Sequence, residues 1–328
     1  MNFDKLFADF SKLKVAVIGD AMLDTYWWGK VDRISPEAPV PVVAVSKKEQ
    51  RIGGAGNVAL NVQSLGAQVS MLTVVGKDED GTQLIKLLEE KNIGTKYIVA
   101  SEERVTTNKI RIISRSQHMM RLDAEISSDL LKEDEDKLLY AFENFIAAAN
   151  PDIIILEDYN KGVLTENVVT KITSLCTRQN IITAVDPKRK NFFTYKGVNI
   201  FKPNLKETRE ALNIISGDVS LSVLKDMHLQ LQEKLNHHIS LITLSEKGVF
   251  YNDATAAEVI PTHVRNIADV SGAGDTVIAV ASLVYAAAKN VKLTAEIANI
   301  AGGLVCEEVG TVAIDKEKLL AECKKLLQ

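Results

Sequence analysis

The segment Asp269-Val270-Ser271-Gly272-Ala273-Gly274-Asp275-Thr276 joins three small residues to a carboxylate just ahead of an apolar, helix-forming run, Val277 to Ala288. Gly272, Ala273 and Gly274 let a backbone bend closely around a ligand. The helix start behind them directs unpaired N–H groups and positive dipole charge into that bend, which suits a phosphoryl group. Asp275 is poorly suited to binding phosphate but well suited to taking a proton from an attacking hydroxyl. That pairing points to phosphoryl transfer onto an alcohol. A small-residue turn followed by Asp-Thr is also an ordinary helix start with Asp275 as a cap, and the segment alone leaves both readings open.

Other residues extend the chemical reading. Gly53-Gly54-Ala55-Gly56-Asn57 precedes a helix expected over Val58 to Leu65. Its glycines permit close approach, and Asn57 offers a donor and an acceptor to a polyol hydroxyl. Asp20 and Asp24 flank the end of a first strand, where carboxylates can hold sugar hydroxyls or simply build a turn. Thr107, Lys109 and Arg111 alternate onto one strand face. With Arg121 across a hairpin, Lys109 and Arg111 can grip a phosphate already on the substrate, or be solvated. Asn204 and Glu207 have capping-box spacing and are also candidates to serve Mg²⁺ through water. Asp158, Lys161 and Lys188 sit at further strand ends, where a lysine can neutralise transferring phosphate oxygens. Trp27 and Trp28 fit core, interface or sugar platform equally. His118, His237 and His238 form no metal cluster or triad, and no G-x-x-x-x-G-K-[ST] or G-x-G-x-x-G order occurs.

These residues need a scaffold, and the hydrophobic pattern describes one. Val15–Ile18, Val69–Val75, Ile153–Leu156, Ile181–Val185, Val198–Phe201 and Ile239–Leu244 read as strands. Helical spacing separates them around Leu84, Leu87 and Leu88, and at Leu138, Leu139, Phe142, Phe145 and Ile146 behind the acidic turn Glu133 to Asp136. Near-continuous apolar strands between helices predict an α/β fold with a central, mostly parallel sheet covered on both faces, and ligands beyond the strands' carboxyl ends. The proline-rich Arg33–Val43 must be an edge or covering flap. Val105 to Leu122 alternates around a turn at Ser114 to Gln117, as in a β-hairpin. Both belong to a small β lid, with segments about 25–50 and 100–124.

Bulk properties narrow the classes. A chain of 328 residues with 25% charged and 46% apolar residues has ordinary soluble composition. A formal net charge of −4 argues against a dedicated nucleic-acid surface. Cys176, Cys306 and Cys323 are too scattered for a disulfide framework, which suits a reducing cytoplasm. The start Met1-Asn2-Phe3-Asp4-Lys5 lacks the order of a secretion signal, and no apolar run reaches the ~20 residues of a membrane span.

Gly53-Gly54 with Asn57, then Asn204–Glu207, then Asp269–Asp275 resemble, in order and spacing, the three signatures of the ribokinase (PfkB) family of carbohydrate kinases. Ser271 stands where relatives commonly carry Thr. Arg33–Val42, Arg121-Leu122-Asp123 and Asp158-Tyr159-Asn160-Lys161-Gly162 resemble the branch acting on D-glycero-β-D-manno-heptose 7-phosphate, in ADP-heptose and lipopolysaccharide synthesis. The resemblance implies a ribokinase-like fold, with residues 1–328 forming a single kinase domain. It implies no C-terminal nucleotidyltransferase before Gln328, leaving adenylyl transfer to another protein. It makes Asp275 the base for the anomeric hydroxyl, with the Gly272, Ala273 and Gly274 amides steadying the phosphoryl group. Asp20, Asp24, Gly53, Gly54, Asn57, Lys109, Arg111, Asp158 and Lys161 would hold the sugar phosphate. Lys188, Asn204, Glu207, Ser245, Glu246, Lys247, Gly248 and Asn299 would serve ATP and Mg²⁺, with a monovalent cation as a further expectation. A cytoplasmic homodimer formed through the lids is also implied, with no nucleic-acid or membrane partner.

Overall fold

The computed structural model describes residues 2–115, 117–215, 217, 219–263 and 265–327. Met1, Ser116 and Gln328, on which the N-terminal, hairpin-turn and chain-end readings partly rest, lie outside the described residues.

An eight-stranded sheet runs in the order Ala257–Ile260, Val249–Asn252, Ile239–Thr243, Ile200–Phe201, Ile182–Asp186, Ile153–Glu157, Lys14–Gly19 and Gln68–Leu72. Pairing is parallel from Ile239–Thr243 to Gln68–Leu72, and the first two strands join antiparallel at one edge. The central strands are apolar on both faces because helices cover both. One core gathers Phe3–Asp9, Ala55–Ser64, Ala273–Ala288 and Val291–Val305; the other gathers Lys132–Ala149, Glu166–Arg178 and Leu221–Leu235. Helices end where asparagine tolerates left-handed backbone, at Asn150 (φ 48°), Asn213 (56°) and Asn236 (50°). Among the described residues no helix is long and apolar enough to cross a membrane.

A second, four-stranded sheet, ordered Pro41–Gly54, Ala21–Ile34, Asn108–Ser114 and Gln117–Ala124, is the β lid. Its first two strands are each 14 residues long. The prolines fall in the exposed connection between them and at the start of an edge strand, where a missing N–H breaks no ladder bond. Inner ends of the lid strands are buried and outer ends exposed, so Asp24, Lys109 and Arg111 sit at the root of the lid. Two expectations are corrected here. Val69 to Val75 breaks at Thr73 into Gln68–Leu72 in the main sheet and Val74–Gly76, paired with Val99–Ser101. The glycine-rich helix begins at Ala55, so Asn57 lies inside it rather than before it.

Candidate active site

Asp275 lies in the first turn of Ala273–Ala288, a helix apolar on all sides and therefore buried between the sheet and its neighbours. Gly272 caps it at φ 78°, a backbone conformation that favours glycine. Ala273 N–H is engaged by the Val270 carbonyl (3.3 Å), while Gly274 faces an ion pair between Lys202 and Asp186. The Asp275 carboxylate is only 5% exposed. Asn57 Nδ2 donates to Oδ2 at 2.7 Å, and Tyr159 OH donates to Oδ1 at 2.7 Å. Burial pushes Asp275 up to about 6; these two donors pull it down, the Asp186 charge raises it and Lys202 lowers it. Asn57, expected on the sugar, is instead a buried clamp on Asp275, because the helix start at Ala55 turns it inward.

Beside Asp275, the strand ends collect charge. Glu157 is fully buried, with neither carboxylate oxygen hydrogen-bonded. Burial, then Asp186 and Asp275, push its pKa well above the usual range. Lys202 Nζ bonds Asp186 Oδ2 at 2.8 Å. Burial alone would raise Asp186, but the Lys202 and Lys188 ammoniums overcome it and hold Asp186 ionised. Lys188 also bonds Glu207 at 2.8 Å; burial opposes its charge, and Asp186 and Glu207 more than restore it. Asn204 and Glu207 form the full capping box, each side chain accepting the other's N–H at 2.8 Å. Reading the sequence overlooked Glu157, Tyr159, Asp186 as a charge and Lys202. Their common signal was a charged or phenolic residue at, or within two residues of, the end of an apolar strand.

On the lid side, Asp20 accepts N–H bonds from Tyr159 (2.8 Å), Lys161 (3.0 Å) and Val163 (3.0 Å). Expected beside the sugar, it is buried under loop 158–163 and organises that loop. Gly54 (φ 57°) makes room beside it, since a Cβ there would lie 2.3 Å from the Asp20 carbonyl oxygen. Asp158, likewise expected on substrate, accepts from Tyr195 OH and Asn160 N–H, both at 2.7 Å, and burial brings it to about 6. Arg111 bonds Asp24, whose second neighbour is Gly53. Arg111, a candidate to grip the substrate's phosphate, is therefore already neutralised within the protein by Asp24. Arg121 is engaged by Asp123 and Lys161 by Glu125. Among the described residues Lys109 has no carboxylate within 4.0 Å, and burial lowers its pKa. Its Nζ lies 5.5 Å from the Tyr159 ring centroid.

Ser245, Glu246 and Lys247 form a short exposed turn closed by Gly248. Asn299 is half-buried and donates to the Pro261 carbonyl at 2.9 Å. A cavity of about 650 Å³ opens between Ser245 and the helix Leu205–Leu212, with Arg189, Lys206 and Arg209 in its wall. A larger one of about 1130 Å³, walled by Phe142, Ile146 and Phe193, contains none of the candidate residues. The open face at Gly274, with Lys188 and Lys202 nearby, fits phosphate oxygens. Among the described residues no cluster of three His, Cys, Asp or Glu suits a metal, and Asn204 and Glu207 already satisfy each other. That donor set fits a divalent ion carried on phosphate oxygens and water, not a protein cage.

The doubly covered sheet, its projecting lid and an aspartate at a glycine-flanked helix start define a sugar kinase of ribokinase-like fold. The chain belongs to the pfkB family of carbohydrate kinases, whose model matches residues 12–318. It is similar to the bifunctional protein HldE of Sulfurimonas denitrificans, 39% identical over 302 residues covering 92% of this chain and 62% of that protein. It is also similar to bifunctional protein HldE of Geobacter sulfurreducens, 38% identical over 325 residues covering 97% and 64%. The chain thus spans less than two thirds of these relatives. Among solved structures it resembles phosphofructokinase-2 from Escherichia coli in complex with potassium, with TM-score 0.76 at 16% identity, covering 95% of this chain and 99% of that one. Arabidopsis thaliana ribokinase complexed with ribose and ATP aligns with TM-score 0.72 at 14% identity, covering 94% and 98%.

Proposed function

We propose that this chain transfers the γ-phosphoryl group of ATP to the anomeric hydroxyl of D-glycero-β-D-manno-heptose 7-phosphate, forming the 1,7-bisphosphate for ADP-heptose synthesis. The observation that carries the reading is Asp275: a buried carboxylate with a pKa of about 6, held by two neutral donors, at the start of a glycine-flanked helix. Such a group is ionised at neutral pH yet basic enough to take an alcohol proton. ATP supplies the phosphoryl group when bound, and Mg²⁺ neutralises its oxygens. Gly272 and Gly274 then line the phosphoryl position, with Ala273 contributing smallness more than an amide. Lys188, Ser245, Glu246, Lys247, Gly248 and Asn299 serve the nucleotide, while Asn204 and Glu207 reach the metal through water.

Lys109, at the lid root and without a carboxylate partner among the described residues, takes the phosphate already on the sugar. Anchoring that end presents C1 to Asp275. Similarity to proteins named HldE over most of this chain supports the heptose reading. A homodimer joined through the lids fits the exposed Ile34, Val40, Met120 and Leu122, and a monovalent cation is a further expectation. A different acceptor is the second reading, because a fold neighbour is phosphofructokinase-2 in complex with fructose-6-phosphate. Phosphorus NMR of the product decides. An anomeric phosphate on heptose 7-phosphate is expected; no turnover of that sugar, or phosphate on another carbon, refutes the assignment.

A further inference from the structure

Tyr159 touches three parts of the site. Its hydroxyl donates to Asp275 Oδ1 at 2.7 Å, and its ring lies 5.5 Å from Lys109 Nζ and 5.6 Å from Lys188 Nζ. Its backbone is equally constrained. Tyr159 N–H bonds Asp20, as do the amides of Lys161 and Val163. Arg104 holds the carbonyls of Lys161, Ser128 and Ile126, and Tyr195 secures Asp158. The phenol is therefore aimed at the carboxylate by a loop fixed on both sides.

A base needs a defined orientation, an ionised state and a free lone pair. A carboxylate has about four acceptor positions; Asn57 fills one on Oδ2 and Tyr159 one on Oδ1, so each oxygen keeps room for an incoming O–H. Burial and the Asp275 charge raise the phenol's pKa far above its ordinary value, so it stays a donor throughout the working range. We propose that Tyr159 is a positioning residue for proton transfer, fixing the plane of Asp275 and favouring its ionised form while the acceptor alcohol binds, with Asp20 holding Tyr159 in place through the loop amides. This rests on Asp275 being the base. In the step served, the acceptor O–H proton passes to Asp275 as the oxygen–phosphorus bond forms. The bond from the γ-phosphorus to the bridging oxygen breaks, and ADP leaves.

Tyr159→Phe keeps the ring and removes only the donor. Because that donor stabilises the carboxylate, its loss raises the Asp275 pKa, and the acid limb of the kcat/KM profile should move up by about one pH unit. Activity then falls about fivefold more at pH 6 than at pH 8, with KM for ATP unchanged. A loss uniform across pH, with the limb unmoved, overturns the proposal. Asp20→Asn weakens the anchor and should move the limb the same way; a folded Asp20→Asn enzyme with an unmoved limb overturns the anchoring half. Asp275→Asn separates the two assignments. If it stays active, the base reading fails. If it is inactive while Tyr159→Phe leaves the limb in place, only the role of Tyr159 fails.

Discussion

Asp275→Asn should make the protein more stable and nearly inactive at once. Asp275 is 5% exposed, and its pKa stands at about 6 against an ordinary 3.8. A folded-state pKa above the unfolded value means the native protein binds the extra proton, so stability is lost as pH rises from 3.8 through 6. Above 6 the cost is complete: a shift of about 2 units at ~1.4 kcal/mol each is roughly 3 kcal/mol. An amide of the same shape carries no charge to desolvate, and its oxygen can still accept from Tyr159 or Asn57. Urea unfolding should therefore show the variant more stable by up to roughly 3 kcal/mol at pH 7.5, falling to about half of that at pH 5. Turnover should drop by about 10²–10⁴-fold, the usual worth of a general base, while ATP and sugar binding persist. A stability change equal at the two pH values would refute the buried-charge argument. Near-normal turnover would refute the base.

The two lid cations should separate. Lys109→Ala should raise KM for a phosphorylated acceptor about tenfold and leave an unphosphorylated analogue unaffected; equal effects would mean a structural or solvated lysine. Arg111→Ala should instead destabilise by about 3 kcal/mol, because it strands buried Asp24 without its cation, and a calorimetric melt unchanged from the parent would contradict this. His237, held neutral by burial and its histidine neighbours with a pKa of about 3, has a depressed folded pKa. Its contribution is present above 6.5 and lost as pH falls, about 2 kcal/mol by pH 5, so His237→Gln should flatten the acid slope of stability measured by urea titration. Gly272→Ala should slow turnover more than it weakens ATP binding, because its Cβ would meet Asn57 Nδ2 at 2.9 Å and disturb the clamp on Asp275.

The scaffold was legible because burial imposes it on the sequence. Strands covered on both faces must be apolar throughout, as Ile153-Ile154-Ile155-Leu156 is, and the helix behind Gly274 announces itself by small residues and an unbroken apolar run. The antiparallel edge strands Val249–Asn252 and Ala257–Ile260 went unnoticed because four-residue segments carry too little period to distinguish from loops. The long lid strands hid behind Arg51, Lys47, Glu49 and the prolines, since a sheet exposed at its outer end has no reason to alternate. At the site, residue type and strand-end position located the chemistry but not the direction of each side chain. Asn57, Asp20 and Asp158 all sit near Asp275 or its loop, and all face the protein. Local sequence holds no record of the distant partner that decides this: Asn57 and Asp275 are 218 positions apart, Tyr159 and Asp20 are 139, and Tyr195 and Asp158 are 37.

The charge pattern at the strand ends also bears on how the proposed metal-bound nucleotide would be held. Among the described residues Asp186 is paired with Lys188 and Lys202, Glu207 is paired with Lys188, and Asp275 stands close by. Burial first, and then the Asp186 and Asp275 charges beside it, push the Glu157 pKa well above the usual range. Lys188 and Lys202 can face phosphate oxygens while still paired with their carboxylates, but that pairing offsets much of their charge and leaves little spare for a bare triphosphate at short range. The first helical turn offers only partial charge. On the proposed reading, the buried ion pairs would fix Asp186 and Glu207 in position, and a divalent cation carried on the phosphates would supply the missing positive charge without any of these pairs opening. The mutual satisfaction of Asn204 and Glu207 fits the role proposed for them, since residues meeting a metal through its water would need a fixed geometry more than an empty lone pair.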